Sequence, residues 1–153
     1  MWGSLLIIDH IISPVSEEIL RSKEHDKLVL TWEERKWVRG RFTTDKGRKI
    51  GLALPTGTML PPDALLWIEP EWYLQVEGAT EPVLEILPSN HEEAIKIAFE
   101  VGNRHFPLAI HGNALQVPDD KAMIRLMDRL GVRWTRRQTV FNPIGNTESH
   151  QHG

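Results

Sequence analysis

The 153-residue chain contains no cysteine. That excludes disulfides, thiolate nucleophiles, cysteine zinc fingers and iron–sulfur clusters. A metal held by this chain must be held by imidazole and oxygen, ligands that suit Ni(II), Zn(II) and Cu(II) better than Cu(I). No apolar run approaches the roughly 18 residues of a membrane span. Residues 1–9 have no basic n-region and too short an apolar run for a signal peptide, so a cytoplasmic protein with no membrane partner is expected. An excess of cations is also missing: 18 Lys and Arg face 21 Asp and Glu, a net charge of −3, which gives no bulk attraction to nucleic acid. There is no Ser or Cys nucleophile elbow, no phosphate-cradling Gly-rich loop before a helix and no HExxH, so no enzyme is expected. What is present is ordinary for a globular protein, 41% hydrophobic and 25% charged, with a length for one ordinary domain or two small ones.

Residues 1–76 read as a small all-β domain. Leu28-Val29-Leu30-Thr31-Trp32, Arg35 to Phe42, Lys49 to Leu54, Ala64 to Ile68 and Trp72 to Val76 are short β-prone runs separated by turn chemistry at Asp45-Lys46-Gly47-Arg48, Pro55-Thr56-Gly57-Thr58 and Pro61-Pro62-Asp63. Strands at intervals near ten residues suggest a small sandwich or barrel. Within them, Arg35, Trp37, Arg39 and Arg41 form a basic and aromatic cluster. It reads as a solvated strand face with Trp37 packed inward, as a nucleic-acid footprint, or as a protein-binding surface with Arg and Trp anchors. Glu33 and Glu34 beside it, and the acidic chain as a whole, argue against nucleic acid.

Residues 77–143 alternate strand and helix. Pro82 to Leu87 is a strand closed by Pro88. Asn90, with Glu93 three residues on, reads as a capping box for a helix from about His91 to Val101 whose core face is Ala94, Ile97, Ala98 and Val101. Pro107 to His111 and Ala114 to Val117 flank the hairpin dipeptide Gly112-Asn113. Asp119 or Asp120 caps a helix from Lys121 to Leu130, with Met123, Leu126, Met127 and Leu130 inward and Gly131 as its stop. The two methionines are core filler at this spacing. Val132 to Phe141 is the last strand. The order β-α-β-β-α-β is ferredoxin-like, so the fold class is α+β: an all-β domain followed by a ferredoxin-like βαββαβ domain. Residues 144–153 are a polar tail, expected to be mobile, with His150 and His152 at i, i+2, a spacing that lets both imidazoles turn toward one ion.

One stretch carries most of the functional signal. Val101-Gly102-Asn103-Arg104-His105-Phe106-Pro107 ends the first helix and sets His105 on the exit turn, where a rigid scaffold holds a loop residue. Histidine is the commonest metal ligand among side chains. His111 lies six residues on; it either faces the same site or is a surface hairpin histidine, and the second reading is preferred. His91 reads as solvated, and His10 and His25 have no ligand-like neighbours.

Thr31-Trp32-Glu33-Glu34-Arg35, Leu52-Ala53-Leu54-Pro55-Thr56-Gly57-Thr58 and Gly102-Asn103-Arg104-His105, in this order, resemble the urease accessory protein E family. The similarity runs from about Leu28 to about Gly131, with a histidine-bearing tail added. The resemblance implies a nickel-binding metallochaperone that carries Ni(II) to the urease apoprotein, with Zn(II) or Cu(II) as other occupants of the same site. It implies a homodimer with His105 of both subunits at the interface, a first domain for protein contact, and the urease apoprotein and the urease accessory GTPase as partners. Members of the family often add histidines before the second helix; Val117 to Lys121 has none here, which leaves an auxiliary internal site without ligands. A two-fold interface would supply two imidazoles from one residue, and each tail could add His150 and His152. Imidazole must be neutral to bind, and histidine ordinarily titrates near ~6.5, so nickel affinity is expected to fall on acidification. The alternatives are an RNA-binding or other protein-interaction module with a ferredoxin-like domain, though no RNP-type aromatic strand is present. A small metal hydrolase would need three protein ligands, which one subunit does not obviously offer.

Overall fold

The computed structural model describes residues 5–37 and 39–144. The chain divides into two units, the first running to Ala79 and the second beginning at Thr80.

In the first unit, β1 (Leu6–Ile8), β2 (Glu24–Leu30), β3 (Arg39–Thr43), β4 (Lys49–Ala53), β5 (Leu65–Ile68) and β6 (Trp72–Gly78) form two three-stranded sheets, ordered β1-β4-β3 and β2-β6-β5. Their alternation is that of half-buried strands: Leu28 and Leu30 point inward between exposed Val29 and half-buried Lys27, and Ile50 and Leu52 are buried in β4. Residues from both sheets, among them Ile8, Leu30, Ile50, Leu52, Leu74 and Val76, share one core. Each such side chain contributes about 1.5–3 kcal/mol by leaving water. Each sheet combines an antiparallel pair with a parallel one, β1 with β4 and β2 with β6. The short helix α1 (Glu17–Leu20) lies in the connection between β1 and β2.

Two polar devices shape this unit. Thr31 and Glu34 cap each other: the Glu34 N–H donates to Thr31 Oγ1 at 3.2 Å, and the Thr31 N–H donates to Glu34 Oε1 at 2.8 Å. The exchange closes a 3-10 turn at Glu34–Lys36 where the sequence suggests a strand from Arg35, and the strand begins only at Arg39. The second device is Asp26, fully buried on β2. Its carboxylate accepts from Thr44 Oγ1 (2.6 Å), Arg48 Nη1 (2.8 Å) and the backbone N–H groups of Lys27 and Lys46. Arg48 in turn stacks 3.8 Å over the Trp72 ring. The β3–β4 hairpin, with Gly47 at φ +92°, is thereby tied to β2.

In the second unit, β7 (Thr80–Ile86), α2 (His91–Asn103), β8 (Ala109–His111), β9 (Ala114–Pro118), α3 (Lys121–Leu130) and β10 (Trp134–Val140) follow in the ferredoxin-like order. The sheet is β10-β7-β9-β8 with every neighbouring pair antiparallel. Asn90 Oδ1 accepts from the Glu93 N–H at 2.8 Å, and the Glu93 carboxylate turns back to the Ser89 N–H rather than to that of Asn90. Asp120 caps α3 through the Ala122 N–H, and Gly131 ends it at φ +71°. In the β8–β9 hairpin only Gly112 takes positive φ (+61°). Leu84, Ile86, Ile97, Val101, Met123 and Met127 are among the residues of the core between helices and sheet. After β10, Phe141 and Pro143 are buried, and the Ile144 N–H donates to the Leu108 carbonyl at 2.9 Å.

Candidate functional site

α2 runs two residues beyond Val101, so Gly102 and Asn103 belong to it. Its end is a Schellman motif. The His105 N–H donates to the Gly102 carbonyl at 2.9 Å, and the Phe106 N–H reaches back to the Val101 carbonyl at 3.2 Å. This pattern places His105 at the position that usually holds glycine. Its φ is +60°, and among the described residues it is the one non-glycine with positive φ. For a side chain with a Cβ this backbone costs on the order of 1 kcal/mol, and such strain concentrates at functional positions. The apolar closure of the motif is present too: Val101 is fully buried and Phe106 packs against the same core.

Arg104 completes the turn. Its Nη1 donates to the Glu100 carbonyl (2.9 Å) and to Glu100 Oε1 (2.7 Å), one turn back on α2. The result is an exposed imidazole on a backbone fixed from both sides, projecting beyond the helix end. The exposed side of α2 before it carries Ile95 and Phe99, 70% and 64% exposed, at i and i+4.

His111 ends β8 opposite Ala114 and is exposed. Its electrostatic neighbour is Glu85. A hydrogen bond from Gln116 holds the Glu85 carboxyl below its usual range against the opposing effect of burial, with Arg137 and His111 adding to the shift. His91 is exposed at the first position of α2, at the opposite end from His105. His150 and His152 lie outside the described residues. Among the described residues, no three His, Asp or Glu side chains are grouped so as to hold a metal ion.

In the first unit the basic and aromatic cluster separates. Arg35 is fully buried: its Nη1 donates to the Leu30 carbonyl, its N–H to the Thr31 carbonyl, and its own carbonyl accepts from Leu60. Arg35 is therefore a correction to the expected surface set, because the Thr31–Glu34 capping exchange turns it inward. Trp37, expected to pack inward, is 54% exposed. Arg39 and Arg41 are exposed on β3, an edge strand. Elsewhere in this unit a cavity of about 740 Å³ is walled by Ile12, Leu20, Leu65, Tyr73 and His25, the last two stacked at 4.5 Å. Apart from His25, to which the sequence assigns no role, none of the described histidines or of the basic and aromatic cluster lines it.

The protein is a two-unit α+β protein whose ferredoxin-like half carries one exposed histidine with positive φ at a helix end. The model described as UreE urease accessory protein, N-terminal domain, matches residues 8–79, and that of the C-terminal domain matches residues 81–153. A urease accessory protein UreE from Ralstonia nicotianae is 32% identical over 97% of this chain and 72% of its own length. One from Parasynechococcus marenigrum is 34% identical over the full length of both, and one from Lysinibacillus sphaericus is 31% identical over 96% of this chain and all of its own. The chain belongs to the urease accessory protein UreE family. It is an accessory protein and not an enzyme, as the family's name states. No helix among the described residues is long and apolar enough to cross a membrane.

Proposed function

We propose that this protein binds Ni(II) and carries it to the urease apoprotein in the cytoplasm while the urease active site is assembled. The observation that carries the reading is His105: an exposed imidazole on a strained backbone that the surrounding turn holds in place. One imidazole per chain is a poor site for a divalent transition metal. In the proposed homodimer, His105 of both subunits meets across a two-fold axis and supplies two. The exposed Ile95 and Phe99 on the same helix support this arrangement, since two adjacent large apolar side chains in water gain by being covered.

His150 and His152 are the proposed additional ligands. The hydrogen bond from Ile144 to Leu108 supports their reach, because it sets the chain down three residues from His105. Six and eight residues beyond Ile144 give a span of up to about 20–26 Å at full extension. A site completed by a segment that must be ordered on binding has moderated affinity, which suits a cargo that has to be released. Zn(II) and Cu(II) would compete for the same donors. The proposed partners are the urease apoprotein and the urease accessory GTPase, with Trp37, Arg39 and Arg41 as the contact residues of the first unit.

Calorimetric nickel titration of the wild type and His105→Ala, with mass followed by light scattering, tests the reading. The expected result is about one tight nickel per dimer, absent in the variant. Unchanged binding in the variant would move the metal elsewhere.

A further inference from the structure

The cavity of the first unit has no part in the metal reading. In β2 and β6 the buried Asp26, Leu28, Leu74 and Val76 point into the core, so the alternate positions His25, Tyr73 and Gln75 stand on the other face of sheet β2-β6-β5. Residues 9–23, which join β1 to β2, form a strap fastened to this sheet near both ends. The Ile12 N–H donates to the Leu65 carbonyl of β5 at 2.9 Å. Lys23 Nζ donates to the carbonyls of Glu69 and Pro70, both at 2.9 Å, in the turn between β5 and β6. Strap and sheet together wall the cavity, whose volume of about 740 Å³ is that of a small-molecule site. Ile12, Leu20 and Leu65 make part of its lining apolar, and the His25 and Tyr73 rings lie stacked with 11° between their planes. Its polar side chains fall into two sets. Lys23 and the Gln75 amide are committed to backbone carbonyls, Gln75 Nε2 donating to that of Asp63 at 2.9 Å. The side chains of Glu17, Arg21 and Asp63 have no ion-pair or hydrogen-bond partner among the described residues. Glu17 opens α1 and Arg21 caps it, still in helical conformation. The two are therefore neighbours one turn apart, with about 5–6 Å between their Cβ atoms, yet they form no ion pair with each other.

We infer that this cavity binds a free α-amino acid with an aromatic side chain. Such a molecule carries an ammonium and a carboxylate on one carbon. Glu17 and Arg21 offer the opposite pair side by side, and Asp63 adds a second carboxylate for the ammonium. The aromatic side chain has the His25 and Tyr73 rings to stack on and Ile12, Leu20 and Leu65 to cover. The charges select against the near relatives of this ligand. An aromatic acid without the ammonium meets Glu17 and Asp63 unpaired, and an aromatic amine without the carboxylate leaves Arg21 unpaired. A residue inside a peptide carries neither charge at its α-carbon. None of the proposed nickel ligands lines the cavity, so the site stands or falls independently of the metal reading.

The test titrates the full-length protein with L-phenylalanine, phenylpropanoate, phenylethylamine and N-acetylphenylalaninamide, by calorimetry and ligand-observed NMR. Nickel is left out, because free amino acids chelate it. L-phenylalanine is expected to bind saturably with a dissociation constant of about a millimolar or lower. The other three, each lacking one charge or both, are expected to bind at least about tenfold more weakly. Arg21→Gln and Glu17→Gln alter exposed side chains, so both are expected to keep the wild-type melting temperature and to lose at least about tenfold in affinity for L-phenylalanine. If one of them melts early, the other carries the test. Arg41→Gln, which removes a cation from β3 outside the cavity, is the control and is expected to bind as wild type does. No saturation by about 10 mM L-phenylalanine would overturn the inference. So would equal or tighter binding of phenylpropanoate or phenylethylamine, which would make this a site for one charge only. Equal or tighter binding of N-acetylphenylalaninamide would make it a peptide cleft, and unchanged binding in both cavity variants would move the ligand elsewhere; either result also overturns it.

Discussion

The backbone N–H of Ile144 donates to the carbonyl of Leu108 at 2.9 Å, so the described chain ends beside the strand entry that follows His105. Phe141 and Pro143, buried just before it, hold this return in place. The chain at Ile144 therefore returns to the segment that follows the candidate ligand, although Ile144 lies 39 positions after His105 in the sequence.

Deleting residues 146–153 leaves the Ile144–Leu108 bond intact and removes His150 and His152. Nickel affinity is expected to fall by about tenfold or more, with the melting temperature and the dimer unchanged. A titration that superimposes on the wild-type curve would exclude the tail histidines as ligands.

His105→Gly and His105→Ala separate chemistry from backbone strain. Both remove the imidazole, and both are expected to abolish tight nickel binding. Only glycine is at ease at φ +60°, so His105→Gly is expected to be more stable than wild type by about 1 kcal/mol in urea, and His105→Ala no more stable. A glycine variant less stable than the alanine variant would mean that the side chain, not the backbone, holds this turn.

Phe99→Glu, alone or with Ile95→Glu, puts charge on the exposed apolar side of α2. Both sites are exposed, so the folded monomer is expected to change by no more than about 0.5 kcal/mol. Light scattering is expected to show dissociation of the proposed dimer, together with loss of tight nickel binding. A dimer that persists would place the two-fold contact on another face.

Acid stability of the first unit is expected to depend on Asp26. Burial works against its charge, but hydrogen bonds from Thr44, Arg48 and the Lys46 and Lys27 N–H groups outweigh it and hold the carboxyl below its ordinary value of 3.8. A depressed folded-state value means that the unfolded chain takes up the proton first as pH falls. The stabilisation is complete well above 3.8 and is lost as the pH drops below it toward the folded value. Asp26→Asn is expected to lower stability at neutral pH by roughly 2–4 kcal/mol and to flatten the acid limb, read by tryptophan fluorescence. An acid limb as steep as that of wild type would assign acid unfolding to other carboxylates.

Local patterns made much of the second unit legible. The Asn90 and Asp120 caps, the Gly131 stop and the apolar spacing of both helices act within a few residues, and the bounds of α3 read from them are those observed. The first unit was legible as short strands but not in its pairing. Parallel contacts such as β1 with β4 join segments more than 40 residues apart, and no local pattern encodes them. The inward turn of Arg35 was hidden for a related reason. Thr31-Trp32-Glu33-Glu34 contains the capping pair, but basic residues beside a tryptophan look like a strand face until the core around Leu30 and Leu60 is in place.

By itself the sequence determined which chemistry was open to this protein. Without cysteine no thiolate can hold a metal, which leaves imidazole and oxygen as the donors that suit Ni(II), and Gly102-Asn103-Arg104-His105 marks where an imidazole stands. Tertiary structure alone decided the rest: that His105 takes a glycine's place with positive φ, that Ile144 returns to Leu108, and that Arg39 and Arg41 face water while Arg35 does not. The division has a physical cause. Residue type sets what a side chain can bind, but backbone strain, burial and proximity are properties of contacts between segments far apart in the chain, and these exist only once the cores have formed.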